Sequence, residues 1–238
     1  MVERRFVKNI GTFTESEYMR LQQAKIFIAG CGGSQYIIDA LARAGVMNIA
    51  VAGGDVFEIS NLNRQLFSNI SNIGRKKVEV ACEYVKLINP DINFIAYPEY
   101  VTNTNVNKLI SGYDIVLDCV DNIETKLELQ YACNGFQIPL IFGGMGKWLG
   151  QVGVSWRGAE VVRKIYTPRK KQKKSNEKLE STTAFVNAFT SAIYVSLCIK
   201  VILNPEEVKI NQLYMFDLYN MKTVRYDPSR ILPIFKKW

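Results

Sequence analysis

The chain has 238 residues, 48% of them hydrophobic, and carries a formal charge of +8 without a single histidine. That length and apolar content suit one large α/β domain with a substantial core. The missing histidine removes the commonest general base and metal ligand, which excludes Ser-His-Asp hydrolysis and histidine-bound zinc.

Residues 14–24 read as a short helix, with Thr14 and Glu17 spaced as a capping box. A buried strand at 25–30, KIFIAG, runs into the glycine turn Gly30-Cys31-Gly32-Gly33. An amphipathic helix over 34–44 ends at Gly45, and a second strand occupies 46–53. The alternation continues with a helix at 74–88, a strand at 91–97, a short helix at 106–112 and a buried strand at 113–120. A helix at 123–136 and a strand at 139–145 complete it. This order predicts a doubly wound α/β fold: a mostly parallel, Rossmann-like sheet with helices on both faces. Beyond it, 149–156 has strand character and 157–180 is expected to be loop. Residues 185–203 form a long apolar helix, assigned to core or dimer burial rather than a membrane span. Residues 213–227 read as a C-terminal antiparallel strand pair turning at Tyr219-Asn220. One domain is expected over 1–238. It comprises a nucleotide-binding core at 25–145, a basic crossover loop at 157–182, and a C-terminal helix and strands at 183–238.

Several features bear on compartment and partners. Cys31, Cys82, Cys119, Cys133 and Cys198 make no CxxC pair, so zinc held by such pairs is excluded and free thiols in a reducing compartment are expected. The N-terminal segment MVERRFVKNIGTF lacks the apolar stretch of a secretory signal. No apolar run is read as long enough to cross a bilayer, so a cytoplasmic chain without a membrane partner is expected. The positive excess crowds into Arg163, Lys164, Arg169, Lys170, Lys171, Lys173, Lys174 and Lys178. That stretch is either a solvated loop or a basic patch for RNA or an acidic tail.

The first functional signal is the glycine turn. Between a parallel strand and a helix, Gly30, Gly32 and Gly33 let the backbone approach phosphates at a helix N-terminus. Two residues depart from the usual fingerprint. Gln35 stands where its last glycine would be, and is expected to hinder helix–strand packing or narrow the phosphate site. Gly53 stands where the second strand normally offers an acid to the ribose, leaving Asp55 as the acid at hand.

The stretch 55–81, DVFEISNLNRQLFSNISNIGRKKVEVA, resembles the signature of the ThiF/MoeB/HesA group of ubiquitin-activating-like proteins. There S-N-L-x-R-Q precedes a G-x-x-K-A-E helix, matched here by Ser60–Gln65 and Gly74–Glu79. Asn89-Pro90-Asp91 and Asp118-Cys119-Val120-Asp121-Asn122 resemble the family's N-P-D and D-C-x-D-N motifs. The resemblance runs from about Arg5 to Val224. It implies ATP and magnesium as cofactors and adenylation of a carboxylate, such as the C-terminus of a ubiquitin-like or sulfur-carrier protein. It also implies a homodimer. By the same resemblance Arg64 contacts phosphates, Lys77 stabilises charge on the transferring phosphoryl group and Asp121 holds magnesium. Asn61 and Gln65 shape the nucleotide site. The family's N-terminal R-x-x-R becomes Arg5-Phe6-Val7-Lys8, so that Lys8 reaches the partner subunit's nucleotide.

Adenylation joins two anions, so cations and a metal-binding carboxylate make chemical sense, and no histidine is needed because the attacking carboxylate is already ionised. Between Gln151 and Ser196 the chain lacks the crossover cysteine of the sulfur-handling branches. Three alternatives stay open: a non-catalytic scaffold on the same fold, a tRNA-modifying dehydratase working through adenylation, and a dinucleotide-dependent oxidoreductase.

Overall fold

The computed structural model describes residues 3–166, 181–210 and 212–227. One eight-stranded sheet runs through them in the order β3-β2-β1-β4-β5-β6-β7-β8. In chain order β1 is Lys25–Ala29, β2 Asn48–Ala52, β3 Asn93–Tyr97, β4 Ile115–Asp118 and β5 Leu140–Gly146. These pair in parallel. Then β6 (Leu149–Ser155), β7 (Leu213–Asp217) and β8 (Lys222–Tyr226) continue antiparallel. The antiparallel part therefore begins one strand earlier than the expected C-terminal pair, at the tight β5–β6 hairpin.

The helices are α1 (Glu15–Gln23), α2 (Gln35–Ala44), α3 (Lys77–Ile88), α4 (Val106–Ile110), α5 (Ile123–Phe136), α6 (Val161–Tyr166) and α7 (Ala184–Leu203). The capping box on α1 forms as its spacing predicts, with Thr14 Oγ1 accepting from Glu17 N at 3.2 Å and Glu17 Oε2 accepting from Thr14 N at 2.8 Å. Gly45 closes α2 at φ 98°, a left-handed conformation that favours glycine. The helix read from position 74 begins only at Lys77. Gly74 sits at φ 83° and Lys76 is extended, bridging Val56.

Side chains alternate across the sheet with period two. Ile26, Ile28, Val51, Leu117 and Ile141 face a core formed with α2, α3 and α7. Phe27, Ala50, Val116, Leu140 and Phe142 face the other core, with α4, α5 and α6. The segment expected to be loop from 157 onwards contains α6, whose Val161 and Val162 are fully buried. A pair of adjacent apolar residues amid charges is enough to anchor a short helix. The remainder of the basic stretch, from Arg169 to Lys178, lies outside the described residues.

By length and composition α7 is long and apolar enough to cross a membrane, which corrects the reading that no apolar run has spanning length. It packs on α2, β5 and β6, burying Val186, Tyr194, Cys198 and Val201 among others. Burial within the fold thus accounts for most of its apolar character. The N-terminal turn packs into the same body. Phe6 is 2% exposed and packs on Tyr18 of its own chain at 5.7 Å.

Candidate active site at the strand ends

Strand order reverses at β1: the chain first builds outward through β2 and β3, then returns to place β4 on the other side. In open α/β sheets the crevice at the carboxyl ends of such strands is the favoured ligand position. The glycine turn opens there. Gly30 has φ 95°, and a Cβ on it would stand 2.6 Å from the Cys119 carbonyl oxygen at the end of β4. Only glycine lets the two strand ends approach so closely. Gly32 and Gly33 face looser surroundings, with Gln65 Nε2 at 3.5 Å and Met145 Cε at 3.6 Å from their would-be Cβ atoms.

Asp55 and Lys77 meet beside this turn. Lys77 is the first residue of α3, its backbone N–H donates to the Asp55 carbonyl at 3.0 Å, and its Nζ lies 3.6 Å from Asp55 Oδ2. The Lys77 side chain is 8% exposed against 51% for Asp55, so the cation is set back behind a more open acid. Tyr100, from the loop after β3, donates its hydroxyl to Asp55 Oδ1 at 2.6 Å. Its ring packs against Gly54, where a Cβ would stand 2.5 Å from the ring edge atom Cε2. The Tyr100 hydroxyl is pushed above its ordinary pKa, first by the bond to Asp55, then by the charge of Asp55, by burial and by Asp121. Asp121 therefore shares the electrostatic surroundings of this group. It is exposed, and the helix-capping role falls to its neighbour, with Asn122 Oδ1 accepting from Thr125 N at 2.7 Å.

The other predicted residues have different placements. Asn61 is buried and holds its own turn, its Oδ1 accepting from Glu58 N at 3.1 Å. Arg64 folds back on that turn, donating to the Ser60 carbonyl at 2.5 Å and to Asn63 Oδ1 at 2.9 Å, so its guanidinium does not join Lys77 and Asp55. Lys8 lies in a 3-10 turn that packs on α2, and the neighbouring Asn9 bonds the Arg43 carbonyl near the far end of that helix. Lys8 and the glycine turn thus sit at opposite ends of α2.

The two departures from the fingerprint have separate structural settings. Gln35 does not occupy the crevice: it is wholly buried, and its carboxamide is bonded to the glycine turn and to the loop at 65–67. A Cβ at Gly53 would stand 3.1 Å from Cys31 Cβ and 3.2 Å from Cys31 N. An acid at 53 would therefore require this turn to shift. Cys31 is a core thiol: burial pushes it up to about 12, with Lys77 pulling it down and Asp55 adding to the rise. Burial likewise raises Cys119 and Cys133, as expected of thiols with a packing role.

Two contributors were not read from the sequence. Lys126 on α5 is buried, and its Nζ donates to both carboxylate oxygens of Asp118 at 3.1 Å and to the Gly143 carbonyl at 3.1 Å. It ties the end of β4 to the end of β5 directly under the crevice. Tyr100 follows Pro98 in an irregular loop, where no periodic pattern marks it. The spacing Asp118 to Lys126 was visible, but only a strand end followed by the first turns of a helix brings the two groups together.

Residues 6–231 match the ThiF family, and the chain belongs to that family. Among curated relatives, the chain is 36% identical over 137 residues to the tRNA threonylcarbamoyladenosine dehydratase of Haemophilus influenzae, covering 56% of this chain and 52% of that protein. It is 36% identical over 140 residues to the molybdopterin-synthase adenylyltransferase of the same organism, covering 57% and 56%. With adenylyltransferase and sulfurtransferase MOCS3 of Drosophila virilis it shares 30% over 216 residues, or 87% of this chain and 47% of that one. The matches thus span about half the length of these relatives. Among solved structures, E. coli tRNA N6-threonylcarbamoyladenosine dehydratase superposes with a TM-score of 0.72 at 25% identity, covering 85% of this chain and 95% of that one. E. coli MccB with MccA-N7isoASN superposes with a TM-score of 0.82 at 21% identity, covering 95% and 72%, a likeness of fold.

Proposed function

We propose that the chain adenylates a carboxylate at the expense of ATP. The observation that carries this reading is the gathering of Lys77, Asp55, Tyr100 and Asp121 beside the Gly30–Gly33 turn at the strand-order reversal. In the reaction a substrate carboxylate oxygen attacks the α-phosphorus, an acyl–phosphate bond forms, and the bond to the leaving pyrophosphate breaks. Charge neutralisation and positioning are all the protein must supply. Lys77 contributes a largely buried cation, and Arg64 contributes another if its guanidinium leaves Ser60 and Asn63.

The exposed carboxylate of Asp121 fits a hard cation that prefers oxygen ligands, and magnesium there would neutralise phosphate charge. No cluster of three His, Cys, Asp or Glu side chains exists among the described residues, so such an ion would draw its remaining ligands from phosphates and water. The chain acts as a homodimer in which Lys8, at the far end of α2 from its own glycine turn, serves the nucleotide of the second copy. The acyl substrate is the C-terminus of a ubiquitin-like or sulfur-carrier protein. The free cysteines fit a cytoplasmic setting.

A second reading, a tRNA-modifying dehydratase that works through adenylation, is favoured by the likeness to the H. influenzae dehydratase and by the absence of cysteine from 151 to 196. ATP–pyrophosphate exchange tests the shared chemistry. Exchange that requires carboxylate substrate and fails in Lys77→Met and Asp121→Ala supports adenylation. Calorimetry without MgATP binding up to millimolar concentrations would establish the non-catalytic scaffold instead.

A further inference from the structure

We propose that Gln35, which replaces the last glycine of the fingerprint, is a positioning residue that orients the Gln65 carboxamide as a donor to a phosphate of the nucleotide. The inference rests on the adenylation reading for its ligand, and on hydrogen-bond polarity for its geometry.

Gln35 is the first residue of α2 and has no exposed surface. Its Oε1 accepts from the Phe67 backbone N–H at 2.7 Å, and its Nε2 donates to the Cys31 carbonyl at 3.0 Å. Both partners are backbone groups whose polarity is fixed. Rotating the Gln35 amide by half a turn would set oxygen against oxygen and nitrogen against nitrogen. Its orientation is therefore determined by the chain itself.

The same Nε2 lies 3.3 Å from the Gln65 side chain. Because Nε2 donates, the Gln65 atom facing it is the acceptor Oε1. The Gln65 NH2 group must then point the other way. It lies against the glycine turn, 3.5 Å from where a Cβ on Gly32 would stand, and it has no acceptor among the described residues. A donor without an acceptor, in a side chain only 8% exposed, suits an anionic oxygen at that turn. It adds to the backbone N–H groups at the start of α2. With glycine at 35 nothing would hold the Gln65 amide in this orientation, and its carbonyl oxygen could face the phosphate as readily as its NH2. The departure from the fingerprint thus replaces a close packing contact with a polar relay.

The test uses the full chain, with MgATP, tripolyphosphate and adenosine as probes in calorimetry. Gln65→Met is expected to weaken MgATP and tripolyphosphate about tenfold or more, the scale of one hydrogen bond to a charged group, and to leave adenosine within about twofold. Gln35→Met should produce a smaller loss of the same kind, and adding it to Gln65→Met should weaken MgATP no further. Parallel losses for MgATP and adenosine, or losses that multiply in the double variant, would overturn the proposal. Because Gln35→Met removes buried bonds, a second measurement needs no substitution. The Gln65 side-chain NH2 resonances of the wild-type chain should move on addition of tripolyphosphate, and resonances that stay fixed at saturation also overturn it. Wild-type binding of tripolyphosphate without pyrophosphate exchange would remove the adenylation reading while leaving the relay intact. A wild-type chain that binds neither MgATP nor tripolyphosphate would remove both.

Discussion

Replacing Lys126 with methionine should strand a carboxylate in the interior. Asp118 has no exposed surface, and its carboxylate is bonded by the Lys126 ammonium, itself 6% exposed, and by the Val120 N–H at 3.2 Å. Burial pushes Asp118 above its ordinary value of 3.8 even with Lys126 beside it. Burial works most strongly against the charge on Lys126, but Asp118, Tyr166 and Cys119 together outweigh it and the lysine is held above its usual range. Removing one partner of a buried pair costs roughly 3–5 kcal/mol. At about 2–4 °C per kcal/mol for a chain of this size, Tm should fall by about 6–20 °C near neutral pH. Without the lysine the Asp118 pKa rises further. The folded state then binds a proton that the unfolded state does not, so stability falls as pH rises above the ordinary carboxylate range and recovers on acidification. Urea denaturation near neutrality and at about pH 4.5 should therefore show a deficit that shrinks in acid. Asp118→Asn combined with Lys126→Met should regain much of the loss, since a neutral amide carries no buried charge. A deficit independent of pH, or a double variant no more stable than Lys126→Met, would refute the reasoning.

Gly30→Ala should destabilise the fold by more than about 1 kcal/mol, because its φ is 95° and its Cβ would meet the Cys119 carbonyl; thermal melting checks this. Thr14→Ala should cost about 1 kcal/mol through the lost cap on α1, measured by urea denaturation. Lys77→Met should lower the rate of pyrophosphate exchange by about 100-fold or more, while its Tm changes by only a few degrees. Tyr100→Phe should free Asp55 Oδ1 without moving the ring from Gly54, leaving Tm nearly unchanged. A change in its nucleotide affinity, read by calorimetry, would show that Asp55 is part of the ligand surface.

Much of the fold was legible because its signals are local. Thr14 and Glu17 stand at capping-box spacing, Gly45 follows a helical stripe, and the apolar runs at 25–30 and 113–120 are too short for anything but buried strands. Where local signals conflicted, the reading failed. The charges after Gly158 masked the apolar Val161-Val162 pair that anchors α6. The good helix formers around Lys76 hid an extended residue bridged to Val56. At the site, Lys77 and Asp121 were identified from motif order and Asp55 as the acid next after the second strand, and the fold brings them near one another. Arg64 and Lys8 were identified in the same way, but placing their side chains depends on rotamers and on a second copy. Gln35 was read as a defect because its side-chain length suggested obstruction. Its direction, away from the crevice and onto Phe67 and Cys31, follows from backbone groups more than thirty residues apart in the chain.

The loop between β2 and α3 is fastened largely by carboxamides. Asn61 bonds Glu58 N, Asn69 and Asn72 bond each other's neighbourhood and the Phe67 carbonyl, and Gln35 and Gln65 clasp across the gap. None of these groups titrates in the ordinary range, and neutral contacts are little affected by dissolved salt. The wall of the crevice should accordingly hold its shape over a wide span of acidity and ionic strength, while the attraction of its lysine for an anion fades as salt is added. A salt titration of ligand affinity would then count charges rather than measure softening of the protein. The weakness of such a wall is slow chemistry: hydrolysis of asparagine amides on long storage would introduce negative charge at positions now held by neutral carboxamides.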